Sequence, residues 1–256
     1  MGFFDRLANA WKIFVFSFQI LGQDKSLFIL PFVMILGSGI IFSFMFLGYF
    51  FVTEAPILWM ILTLFVISLW GTFIAAAQSW MVHEVLQGKD TTVGSGVSRA
   101  LHNAKDIFYY TVVMSIITLV SSYFRSKGRL GEALGGTMSY LAGIIGKLVI
   151  PAMIVTERSF GEAVAQLKQS VRAFPEIATY EIGIRPLTHL ALFLVFIISF
   201  FVVSPFGLIA VGITLFILLI VVILLALYVN TTYYTVLYLT IIEKKRVSGL
   251  DVYRPH

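Results

Sequence analysis

The chain has 256 residues, 59% of them hydrophobic and only 12% charged, with a mean hydropathy of +0.95. A soluble domain carries about a quarter charged residues, and half that fraction cannot cover a water-facing surface. A polytopic membrane protein is therefore expected, with one membrane domain over residues 1–256.

The formal charge of +5 reads as the basic excess of cytoplasmic loops, so no nucleic-acid partner is expected. With no cysteine, disulfides, thiolate nucleophiles and Cys-ligated zinc drop out. In chain order, residues 3–22 come first, with Phe4, Leu7, Trp11, Phe14, Val15, Phe18 and Leu21 at helical steps of three and four. The opening MGFFDRLANAWK lacks a basic start and a clean apolar run, so no cleavable signal is expected. Apolar runs at 27–52 and 57–82 are joined by Thr53-Glu54-Ala55-Pro56, a hairpin turn that Pro56 enforces. Residues 92–105 form a second amphipathic stripe, with Val93, Val97, Ala100, Leu101 and Ala104 on one side. Runs at 107–124 and 134–155 follow. A third stripe at 159–174 carries Phe160, Ala163, Val164, Leu167, Val171 and Phe174. It opens on Ser159-Phe160-Gly161-Glu162, a capping box, and closes before Pro175. The last two runs, 182–203 and 206–228, meet at Ser204-Pro205.

The expected fold is all-α, with six transmembrane helices in three hairpins. Each hairpin is preceded by an amphipathic helix, giving an architectural repeat over 1–56, 57–156 and 157–256. Each stripe either lies in the cytoplasmic interface or packs on the protein's own helices. Fourteen Lys and Arg residues fall on the side that carries both termini, and three, Arg125, Lys127 and Arg129, on the other. The bias places both termini in the cytoplasm of a cell inner or plasma membrane, against which only the 123–129 cluster argues.

The stretch 149–170, VIPAMIVTERSFGEAVAQLKQS, ends a span in apolar-Pro-apolar and continues through Glu157 into a short helix with Ala163 and Ser170. With Ala75-Ala76-Ala77, Gly88-Lys89-Asp90 and Gly94-Ser95-Gly96, it resembles an uncharacterised prokaryotic family of multi-pass integral membrane proteins. That family is similar to the membrane portion of glycerophosphoryl diester phosphodiesterases. The resemblance implies a six-helix membrane protein without the soluble catalytic domain, and it brings no functional residues with it.

Little in the chain reads as catalytic chemistry. His83-Glu84 lacks the second histidine of a metalloprotease helix, and Gly94-Ser95-Gly96 lacks the lysine of a phosphate loop. No enzymatic activity, cofactor or metal is expected. One residue stands out: Lys147, a cation inside the fourth apolar run, about 13 Å from its end at Thr156 at 1.5 Å per residue.

Lys147 follows Gly135, Ser139 and Gly143 at steps of four, a small-residue row of the kind that lets helices pack closely. Charged groups in spans face bundle interiors or wet cavities. A cytoplasm-facing polar pocket is expected from Lys147, Glu84, His83, Gln78, His189 and Asn230, with Glu84 as counter-ion. The competing reading has Lys147 reaching the lipid headgroups and the others capping helix ends. Two functions stay open on this basis. One is binding or transport of a small solute or lipid; the other is a structural subunit packed against other membrane proteins. Membrane lipids are the expected partners in either case.

Overall fold

The computed structural model describes residues 3–51, 55–169, 179–181, 185–247 and 249–250, and these are helical almost throughout, with no strand among them. The helices are α1 (Phe3–Gln23), α2 (Ile29–Tyr49), α3 (Pro56–Leu86), α4 (Val93–His102), α5 (Ala104–Arg125), α6 (Gly128–Thr156), α7 (Phe160–Gln169), α8 (Arg185–Val203) and α9 (Leu208–Leu237).

Among the described residues, five helical stretches are long and apolar enough to cross a bilayer: Lys25–Tyr49, Pro56–Leu86, Ala104–Arg125, Gly128–Thr156 and Leu208–Ile242. Their outer surfaces leave Ile40, Phe44, Ile57, Leu58 and Ile209 largely uncovered. Apolar exposure on that scale suits hydrocarbon and not water. The expected sixth span, 182–203, starts on residues outside the described set, and its apolar part, Phe193–Phe206, is shorter than the other five.

The chain divides into two compact units, residues 20–170 and residues 1–19 with 171–256. In the first unit, α2 and α3 are held together by two tryptophans. Trp59 Nε1 donates to the Met45 carbonyl at 2.7 Å, and Trp70 Nε1 to the Met34 carbonyl at 3.2 Å. Each indole lies over a glycine. A Cβ at Gly48 would sit 2.5 Å from Trp59 Cζ2, and one at Gly37 would overlap the Trp70 ring. At membrane depth an indole N–H has no water to turn to, so these carbonyls are its partners.

Helices α5 and α6 form a tight antiparallel hairpin. Gly131 and Gly135 bring α6 against the carbonyls of Phe124 and Ser121, and a Cβ at Gly146 would lie 2.6 Å from the Tyr110 hydroxyl. Among the described residues nothing comes within 4 Å of a Cβ placed on Gly143. The contact face of α6 runs through Gly131, Gly135 and Gly146, about one residue round the helix from Gly143.

Helix α3 has 31 residues, about 46 Å, against a hydrocarbon core of roughly 30 Å. Its surplus is at the C-terminal end, where α4 packs: a Cβ at Gly96 would meet the Ala77 carbonyl at 2.7 Å. The Ala100 side of the α4 stripe is buried, while Leu101 remains 60% exposed. In α7, Ala163 and Leu167 are buried and Phe160 meets the Tyr110 ring edge-on at 6.2 Å. The Ala100 side of α4 and the Ala163–Leu167 side of α7 thus pack on the protein's own helices, while Leu101 and Ala104 stay exposed. The part of the third stripe at 170–174, with Val171 and Phe174, lies outside the described residues.

In the second unit, α9 continues as a π-helical turn, Tyr238–Ile242. Tyr228, Tyr233, Tyr234 and Tyr238 are all buried at this end. Tyr180 stacks on Tyr233 at 3.7 Å, Tyr234 donates to Glu181, and Tyr228 donates to the Ser17 carbonyl of α1 at 2.8 Å.

Candidate functional site

The surplus end of α3 carries a polar layer. Glu84 Oε2 accepts from the hydroxyls of Thr91 and Ser95, each at 2.6 Å. Ser95 also forms a reciprocal cap with Thr92 that starts α4. One turn further along α4, Arg99 Nε donates to the Ile154 carbonyl at 3.0 Å and its guanidinium lies 2.7 Å from Glu157. The same guanidinium sits 4.4 Å over the Trp80 ring. Ile154 is among the last residues of α6, whose carbonyls have no helical N–H to receive. Arg99 supplies one, tying α3, α4 and α6 together. Asp106 does the equivalent at the start of α7, accepting from the Phe160 N–H at 2.9 Å. These groups read as helix-end chemistry.

Of the residues expected to form the polar pocket, Gln78 and His83 are buried and Glu84 half-buried on the last three turns of α3. Gln87 Nε2 donates to His83 Nε2 at 2.8 Å. Lys147 is half-buried on α6, seven residues before Ile154 and so about 10 Å further along the helix from the Arg99 contact. Pro151, with no N–H, cannot donate to the Lys147 carbonyl, which opens the ladder at that point. The hydrogen bonds that fix Glu84 run to α4. Asn230 belongs to the other unit, on α9, and the His189 side chain lies outside the described residues. Ser139 is half-buried on α6 and Gly135 fully buried. Among the described residues no three His, Asp or Glu side chains gather closely enough to hold one metal ion.

A larger cavity with room for a ligand lies elsewhere. A groove of about 590 Å³ runs between α3 and α5, within the roughly 300–1,000 Å³ typical of ligand sites. Its walls are apolar, with Leu62 and Phe65 from α3 and Met114 and Leu119 from α5, and Ile150 of α6 closes one part. Ser68, Gly71, Thr72 and Ala75 make its floor on α3, opposite Thr111, Ser115 and Thr118 on α5.

Three of the groove's hydroxyls are committed to their own helices: Thr72 donates to Ser68, Thr111 to Ile107 and Thr118 to Met114, each at 2.8 Å. They satisfy themselves locally and offer lone pairs to the groove. Lys147 is not among the lining residues. Ser68, Gly71, Thr72 and Ala75 recur on α3 at steps of three and four, the spacing of a packing row. That the row leaves space and does not receive a helix was not legible, because it depends on how far α5 stands off. The tyrosine cluster was missed too, although Tyr228, Tyr233, Tyr234 and Tyr238, with Thr231, Thr232 and Thr235, break the apolar pattern at the end of α9.

Fold and groove together define a class: an all-α protein built on helices long and apolar enough to cross a bilayer, with an apolar crevice between two of them. No family model, curated protein or solved structure matches the chain, and nothing links it to the glycerophosphoryl diester phosphodiesterases.

Proposed function

We propose that the protein handles lipids, and that its α3–α5 groove receives the hydrocarbon chain of a lipid entering sideways from the bilayer. The observation that carries this reading is the groove itself: apolar walls, a small-residue floor, and three threonines, Thr72, Thr111 and Thr118, whose hydroxyl protons are already donated to their own helices. Hydroxyls held in this way meet alkyl chains without stranding their donors. In this reading the chain crosses a cell membrane six times, with α8 as the fifth span and both termini in the cytoplasm. The basic residues of the 14-to-3 count support that orientation. The polar layer of Glu84, Arg99 and Asp106 then holds the cytoplasmic ends of α3, α4, α6 and α7 together beneath the groove.

The test uses a phospholipid with a diazirine in its acyl chain, reconstituted with the protein and mapped by mass spectrometry. Photolabelling is expected to concentrate on 58–75 and 110–119. It should fall several-fold in Ser115→Trp, which fills the groove, while labelling of α2 stays constant. Labelling spread over all apolar helices in proportion to their exposure, and indifferent to Ser115→Trp, would overturn the reading. A co-purifying membrane protein that cross-links to the same groove residues would replace it with that of a structural subunit.

A further inference from the structure

Helix α1 has two apolar faces. One, with Ala10, Ile13, Ser17 and Ile20, is buried completely. The other is largely exposed, with Phe4 80% exposed, Trp11 53% and Phe18 40%, and at Trp11 and Val15 it borders a crevice of about 330 Å³ shared with Gly249 and Leu250. Its rings are arranged against one another, Trp11 on Phe14 at 5.4 Å and Phe14 edge-on to Phe18 at 5.3 Å. A line of polar residues, Asp5, Lys12, Gln19 and Gln23, runs along one edge, all exposed.

An aromatic face of this size on a water-facing helix is unfavourable unless something covers it. Three observations say what does. First, α1 is not among the helices apolar enough to span, so it does not bury this face by crossing the bilayer. Second, the chain passes from Gln23 to Ile29, the start of an apolar span, through only a 3₁₀ turn that Asp24 caps by accepting from the Ser26 N–H at 2.8 Å. Five intervening residues reach at most about 20 Å when extended, so α1 is tethered at the membrane surface. Third, the open face is aromatic and the adjoining edge polar, the division that matches the boundary between acyl chains and headgroups.

We propose that the outer face of α1 is seated in the lipid interface, with Phe4, Trp11 and Phe18 below the headgroups and the Lys12–Gln19–Gln23 edge in water. The helix is a surface anchor: its inner face holds the protein and its outer face the bilayer. This goes beyond the groove reading and does not depend on it.

The absence of cysteine makes the test direct. Nitroxide labels are placed singly at Phe4→Cys, Trp11→Cys, Phe18→Cys and Lys12→Cys in the full chain, reconstituted in phosphatidylcholine vesicles. Collisions with oxygen, which partitions into lipid, are compared with those of a water-soluble nickel chelate. At 4, 11 and 18 oxygen should dominate; at 12 nickel should dominate, so the logarithm of the ratio changes sign between positions 11 and 12. Equal nickel access at all four positions would overturn the anchor, because the face is then in water. Low collision rates with both reagents at 4, 11 and 18 would overturn it as well, because a protein partner or a second copy of the chain then covers the face. Should Trp11→Cys fail to fold, positions 4 and 18 report the same face.

Discussion

A methyl group added at Gly135 has nowhere to go, because the Ser121 carbonyl already occupies its place. At Gly143, two turns on, the same methyl enters open space. Two glycines eight residues apart on one helix therefore have opposite tolerance. Gly135→Leu should force α5 and α6 apart and cost about 1–3 kcal/mol or more, the usual penalty of overpacking. Gly143→Leu should be near neutral. Thermal unfolding of both variants in one detergent checks the contrast, and equal losses would refute the packing face assigned here. The sequence exposed the small-residue row on α6. It could not expose its angular setting, since residues 135, 139, 143 and 146 differ by a fraction of a turn and only the neighbouring backbone distinguishes them.

At the scale of the element, the short helices are fixed by their starts. Ser159 opened α7 as its sequence promised: its N–H and hydroxyl both donate to Glu162 Oε2, at 2.9 and 2.8 Å. The Ser159 backbone N–H, then its hydroxyl, hold the Glu162 carboxyl below its ordinary value. A carboxylate depressed in the folded state stabilises above its unfolded value, roughly 4.3, and that contribution vanishes as pH falls through the folded value. Glu162→Gln should thus loosen α7 at about pH 7, seen as faster amide exchange in 160–169. The variant and the parent should converge as the medium is acidified below roughly pH 4. A difference that persists undiminished in acid would show that charge is not what holds the cap. The cap of α4 by Thr92 and Ser95 was not read from sequence, because serine at the third helical position does the work usually assigned to glutamate or glutamine.

At the scale of the whole molecule, the proposed six-span topology makes its own demand. Cysteines placed one at a time at Ser126, Ser204 and Asp90 lie in exposed connections. An impermeant maleimide applied to intact cells should label Ser126→Cys and Ser204→Cys and spare Asp90→Cys. The opposite pattern would invert the topology, and labelling of Ser126→Cys without Ser204→Cys would remove α8 as a span.

Composition and periodicity by themselves determined that the described residues are helical almost throughout, where five long apolar helices lie and which short helices carry an apolar stripe. Those properties are local, set by residue type at steps of one to four. Whether a stripe meets lipid or protein was decided only by the tertiary structure: α4 turns its Ala100 side and α7 its Ala163–Leu167 side onto the bundle, while α1 keeps a second face exposed. The same holds for the groove. Ser68, Gly71, Thr72 and Ala75 look identical in sequence to a packing seam, and it is the standoff of α5, bearing Thr111, Ser115 and Thr118 opposite them, that leaves a cavity there. Small residues permit close approach without compelling it, and the distance at which two helices settle is set by side chains far apart in the chain.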